Sequence, residues 1–155
     1  MKKTLILLLT LLLCAVLTAC SAPVAEPKDC AAVSQAVLAS QTFPENMTEQ
    51  TAKRMLKVLG LEENQIAQGE MTLDASRVTA EAVVVLTVAD QQQLAAVQAA
   101  LEGYRQSMLM QYRDYKPAEV PKLEAAKVYT NGLQCALLIA SDQNAAHQAL
   151  EKAWK

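Results

Sequence analysis

Between Ala82 and Val88 the chain reads Ala-Val-Val-Val-Leu-Thr-Val, a β-branched run whose only polar interruption is Thr87. Such a run has no side to offer to water, so it is expected as a central strand buried on both faces. From Ile66 to Asp74 the apolar residues thin to Met71 and Leu73, two apart, which predicts an edge strand joined to the central one by a turn near Ser76-Arg77. The chain must therefore be organised around a sheet.

The second half repeats this plan. Val128 and Tyr129 begin a strand, Asn131-Gly132 is a strong hairpin signal, and Leu133 to Ala140 returns as a second buried strand. Leu86-Thr87-Val88-Ala89-Asp90-Gln91-Gln92 resembles Leu138-Ile139-Ala140-Ser141-Asp142-Gln143-Asn144, and each stretch joins an apolar strand to an alanine-rich helix. Asp90 is expected to cap a helix with Leu94, Val97, Leu101, Tyr104, Met108 and Tyr115 on one stripe. At ~1.5 Å per residue that helix approaches 40 Å, with Gly103 as a place to bend or divide it. Met108 is expected in the core and Met110 in solvent. Pro117 and Pro121 end the helix and mark a loop, and Ser141 or Asp142 caps a last helix running through Leu150 toward Trp154.

Upstream, Asp29 is placed to cap a helix carrying Cys30, Val33 and Val37, which ends before Phe43-Pro44. Thr48 is expected to cap a second helix with Met55, Val58 and Leu59, closed by Gly60-Leu61 in a Schellman ending. Two N-terminal helices followed by two hairpin-helix units predict an α+β fold, a four-stranded, mostly antiparallel sheet with helices on one face. Residues 30–155 are read as one such domain.

Before it lies a different kind of segment. Lys2 and Lys3 precede an apolar run from Leu5 to Val16, broken only by Thr10 and shorter than the ~20 residues of a spanning helix. Leu17-Thr18-Ala19-Cys20 follows and fits a lipobox, with an aliphatic residue three places before cysteine and a small one just before it. Residues 1–19 are thus expected as a lipoprotein signal peptide, with cleavage before Cys20 and a diacylglyceryl group, with acylation such as palmitate, on the Cys20 sulfur. Residues 20–29, with Pro23 and Pro27 among small and polar residues, are expected as a tether. The reading places the domain on the extracytoplasmic face of the cell membrane. Of the 155 residues, 136 would remain, and loss of Lys2 and Lys3 takes the net charge from −2 to −4. An acidic balance gives no attraction to nucleic acid or anionic headgroups, so membrane contact falls to the anchor.

Once Cys14 and Cys20 are set aside, Cys30 and Cys135 are candidates for a disulfide or for two small buried hydrophobes. No catalytic set stands out, and no cofactor beyond the covalent lipid on Cys20 is implied. His147 is the single histidine, which rules out histidine-rich metal sites, and four glycines leave no phosphate loop. Glu62-Glu63 would diverge on a helix. Arg105, Arg113 and Lys116 lie among Tyr104, Tyr112 and Tyr115, a mixture that would suggest nucleic acid only in a basic protein. Asn46-Met47-Thr48 has the form of a glycosylation acceptor, but a lipobox implies a bacterial host, so Asn46 is read as a loop residue.

The lipobox, the Gly60-Leu61 turn before Ile66, and the run from Tyr112 through Pro117 to Asn131-Gly132 and Leu137-Leu138-Ile139-Ala140-Ser141-Asp142 resemble a family of small lipoproteins from Gram-positive, clostridia-like bacteria whose domain has no assigned function. The resemblance implies an envelope location and an α+β fold, and it carries no catalytic residues. Members often show an aromatic residue where Gln134-Cys135 stands here. The expected function is a membrane-anchored binding or interaction module of the cell envelope with a protein or peptide partner. The alternatives are a small thiol-dependent or other envelope enzyme using Cys30 or Cys135, and an accessory solute-binding component of a transporter, for which 136 residues are few to build a two-lobed cleft.

Overall fold

The computed structural model describes residues 25–155, so Leu17, Thr18, Ala19 and Cys20 lie outside the described residues, as does the segment before them. Helix α1 (Cys30–Leu38) is followed by strand β1 (Met47–Glu49), helix α2 (Ala52–Leu59), strands β2 (Ile66–Asp74) and β3 (Ala82–Val88), and the long helix α3 (Leu94–Tyr115). A short helix α4 (Val120–Ala125), strands β4 (Lys127–Asn131) and β5 (Gln134–Ile139), and helix α5 (Gln143–Ala153) complete the domain. The strands form one sheet in the order β1-β2-β3-β5-β4, with every neighbouring pair antiparallel.

The mixed composition and antiparallel pairing follow the sequence reading, but the sheet has five strands where four were expected. The additional strand holds Thr48, which pairs with Leu73 and does not cap a helix. Helix α2 starts after Thr51 instead, whose hydroxyl accepts from the Arg54 N–H at 3.4 Å. Threonine serves a strand as well as a cap, and here an otherwise unpaired stretch of β2 decides between the two. So β2 is an edge only over its first half.

The helices also cover both faces of the sheet, where one face was expected. Ala82, Val84, Leu86 and Val88 of β3, with Cys135, Leu137 and Ile139 of β5, pack beneath α2, α3 and α4. Val83 and Val85, with Ala136 and Leu138, pack beneath α1 and α5. Every residue of β3 and of β5 is buried. A sheet centred on two such strands has two apolar faces, and each needs its own layer.

Local signals mostly act where the sequence puts them. Asp29 accepts from the Ala32 N–H at 2.8 Å and Asp142 from the Ala145 N–H at 2.9 Å, each opening a helix. Asp90 caps a single 3₁₀ turn over Gln91–Gln93 that becomes α3. Gly60 closes α2 at φ +67°, and the Leu61 N–H returns to the Leu56 carbonyl at 3.0 Å. Helix α3 runs unbroken through Gly103. Its buried stripe is Val97, Leu101, Leu109 and Tyr112, while Tyr115 is exposed. Met108 packs against the core and Met110 is in solvent, as expected, whereas Val58 is exposed on α2. The two prolines do not mark a loop, because Pro117 opens a 3₁₀ turn and Pro121 sits in the first turn of α4, where its missing N–H costs nothing. Gly132, at φ +57°, begins a two-residue turn between the paired Asn131 and Gln134.

Candidate functional site

The antiparallel sheet has two ends of different character. At the first, Gln68 of β2, Thr87 of β3 and Gln134 of β5 form a row of adjacent polar partners on the α1 face. The Gln134 amide donates to Thr87 Oγ1 at 3.1 Å and to the Lys28 carbonyl at 2.6 Å. Gln68 accepts from the Cys30 N–H at 3.2 Å and donates to the Asp29 carboxylate at 2.6 Å. Residues 28–30 are thereby stitched into this end of the sheet.

At the opposite end the hairpin between β2 and β3 is built around Asp74. Its carboxylate accepts from the Ser76 N–H (2.9 Å) and hydroxyl, and from the Thr79 N–H (2.9 Å) and hydroxyl (2.8 Å). Burial works against that charge, but the four bonds outweigh it and hold the carboxyl below its ordinary range. Neighbouring helices clamp the same hairpin. The Tyr112 hydroxyl donates to the Thr79 carbonyl at 2.6 Å and the Lys116 ammonium to the Val78 carbonyl at 2.5 Å, while the Ala80 N–H donates to Glu119 at 2.9 Å. Held this way, Arg77 takes φ +58°, a left-handed conformation that costs a residue with a Cβ about 1–2 kcal/mol. Strain of this kind persists where the surroundings over-determine the backbone.

Behind the hairpin sits a buried charge cluster. Lys122 lies 2.9 Å from Glu119 and 3.3 Å from Glu81, and Glu81 also accepts from the Ser141 hydroxyl. Burial pulls the Lys122 ammonium down, yet the two carboxylates more than compensate and raise it above its usual range. A lysine so held stays charged and is no general base. The cluster fixes β3, β5 and α4 to one another.

Between α2, this hairpin and α3 opens a cleft of about 240 Å³. Val58, Leu73 and Met108 supply apolar wall, Arg54 and Arg77 stand at the rim, and Tyr104 and Tyr112 line the α3 side. Neither guanidinium is bonded or ion-paired to another described residue. Tyr104 likewise makes no hydrogen bond to a described residue. Burial, with the neighbouring Tyr112 adding to it and Arg77 opposing, pushes its hydroxyl up to about 12, so it remains a donor. A larger depression of about 560 Å³ between α3 and β4 is open, and two of its three charged side chains are paired with each other, because Arg105 grips Glu102 as well as the Leu123 carbonyl.

Residues 40–140 match the family described as Domain of unknown function (DUF4358). The chain belongs to the DUF4358 family. The matched segment takes in all five strands, α2, α3, α4 and every residue of the cleft, and it leaves α1 and α5 outside. No curated protein and no solved structure matches this DUF4358 chain.

The residues singled out from the sequence are dispersed. Cys30 and Cys135 are both free and buried, and they point into opposite faces of the sheet, so of the two alternatives the structure has two small buried hydrophobes and not a disulfide. Alternation along β5 sends Cys135 toward α3 while α1 brings Cys30 onto Thr87 on the other side, at 3.4 Å. Burial raises both thiols, Cys135 to about 11, so neither is a ready nucleophile. His147 stacks on Tyr129 with ring centres 4.2 Å apart and lies 3.5 Å from Glu151 on the surface of α5. Among the described residues no three His, Cys, Asp or Glu side chains gather as metal ligands. Arg54, Arg77 and Glu81 drew no attention in the sequence. One signal was available for Arg77, a long cation in the tight turn that the Ser76-Arg77 reading already required.

Proposed function

We propose that this DUF4358 protein is an extracytoplasmic lipoprotein, anchored through a diacylglyceryl group on Cys20, that serves as a binding module of the cell envelope and presents its cleft away from the bilayer. The observation that carries the reading is the placement of tether and cleft at opposite ends of the sheet. Lys28, Asp29 and Cys30 are fixed to Gln134, Gln68 and Thr87, whereas Arg77 lies beyond the far end of β2. Nine residue steps separate Cys20 from Asp29, a reach of at most ~30 Å when extended. The length of β2 adds ~25 Å between the tether and the cleft. A ligand-bearing partner would thus be met well clear of the lipid surface.

The apolar run before Cys20 and the fit of Leu17-Thr18-Ala19-Cys20 to a lipobox support the anchor, and two acyl chains on one residue suffice for stable attachment where one would be marginal. The thiol-enzyme alternative has less support, since both described thiols are buried and raised. Metabolic labelling with a fatty-acid probe tests the anchor: the natural chain should take up label, and Cys20→Ala should lose it entirely. Undiminished labelling of that variant would overturn the proposal.

A further inference from the structure

We infer that the cleft between α2, the β2–β3 hairpin and α3 holds a carboxylate carried on a short apolar group, and that its occupant is the C-terminal residue of a peptide. This rests on the cleft being the working face of the module and is independent of the lipid anchor.

The charge argument comes first. Arg54 and Arg77 are two cations lining one cleft with no partner among the described residues, and Tyr104, which lines the same cleft, has a hydroxyl with no hydrogen-bond partner among them. Two guanidiniums and a hydroxyl match the acceptor pattern of a carboxylate. The two carboxylates that also line the cleft do not meet this need. Asp74 is saturated by the hairpin's own donors, and Glu81 is held by Lys122 and Ser141. Their negative charge nonetheless remains, and it favours a monoanion over a phosphate dianion.

Shape supplies the rest. A volume of about 240 Å³, floored by Leu73 and Met108, accommodates one medium-sized apolar side chain beside its carboxylate. Two shallower depressions continue from the cleft, one along Thr48, Glu49 and Gln50 of the sheet edge and one past Gln111 toward the exposed Tyr115, and both include Arg77. A chain leaving the cleft therefore has surface to follow, and along β1 it meets a sheet edge of the kind that extended peptides pair with.

Ligand-observed saturation-transfer NMR on the full chain in detergent tests this with four probes, inorganic phosphate being read by its displacement of N-acetylleucine. N-acetylleucine should bind at least tenfold more tightly than N-acetylleucinamide and than inorganic phosphate, and acetyl-Ala-Ala-Leu should bind severalfold more tightly than N-acetylleucine. Arg77→Gly removes the cation and suits φ +58°, so it should not lower the thermal midpoint and should lose at least tenfold in affinity; Tyr104→Phe should lose severalfold. Equal binding of acid and amide, or unchanged binding by Arg77→Gly, would overturn the site. Tighter binding of phosphate would reassign it to phosphate anions and overturn the carboxylate, and no gain from the longer peptide would overturn the peptide in favour of a free acid. Binding by a chain that takes up no lipid label would leave this inference standing and remove only the anchor.

Discussion

The two faces of the sheet are supplied by the same central strands but are finished in different ways. Beneath α2, α3 and α4 the filling is aliphatic apart from the pair of Glu119 and Lys122 at α4, with Met71, Leu86, Leu101, Leu123, Leu137 and Ile139 all fully buried. Beneath α1 and α5 the aliphatic set is smaller, and buried polar groups enter it: Thr87, Gln134, Ser34 and the Trp154 indole. The four buried side-chain atoms without a partner among the described residues, on Ser34, Gln134, Gln143 and Trp154, all belong to this second layer. An unpaired buried polar atom costs roughly 1–3 kcal/mol. The contrast teaches a division of labour. The first layer provides stability and carries the cleft at its rim, and the second trades some stability for a fixed attachment of residues 28–30.

The largest test of that contrast is truncation in the aliphatic layer. Leu101→Ala on α3, a fully buried residue, should cost about 2–5 kcal/mol in urea denaturation. Val37→Ala on α1 should cost less, and the reverse order would break the comparison. Next, Gln134→Ala should lose about 1–3 kcal/mol, since it leaves the Lys28 carbonyl and Thr87 hydroxyl without their donor. Limited proteolysis should then cut near Lys28 sooner than in the natural chain, and unchanged cutting would detach the polar row from any role in holding the tether.

Titration sharpens the same distinction from the aliphatic side. Folding moves the Cys135 thiol from an ordinary 9.0 up to about 11 because burial disfavours the thiolate. The folded chain therefore keeps its proton where the unfolded chain has lost it. This contribution is complete below about pH 9 and is lost as pH rises through 11. Urea midpoints should fall across that window more steeply for the natural chain than for Cys135→Ala; parallel slopes would contradict the burial of the thiol. The smallest expected effect is a gain: Arg77→Gly should raise stability by about 1 kcal/mol in the same assay, by relieving φ +58°. A loss would mean that the guanidinium makes contacts that hold the hairpin.

Elements were most legible where one physical requirement acted alone. Val83-Val84-Val85 has no polar side to expose, Asp29 and Asp142 precede alanine-rich turns that need a side-chain acceptor, and Gly60 supplies the positive φ that ends α2. Elements were misread where two requirements competed. Thr48 suits a cap and a strand equally, and only the presence of β2 beside it decides. Tyr112 and Tyr115 lie three apart on α3, near enough to share a face in the periodicity, yet Tyr112 reaches the Thr79 carbonyl and Tyr115 faces solvent.

By itself the sequence determined the two buried strands, the caps at Asp29 and Asp142, the Gly60 ending and the two hairpins, and it raised the expectation of an anchor at Cys20, because these depend on neighbours within a few positions. The tertiary structure alone decided that helices cover both faces, that Cys30 and Cys135 lie on opposite sides of the sheet, and that Arg54, Arg77 and Tyr104 surround one cleft. Each of these sets residues far apart in the chain side by side, and such proximity is fixed by strand register and by which layer a helix joins. Local propensity carries no information about either.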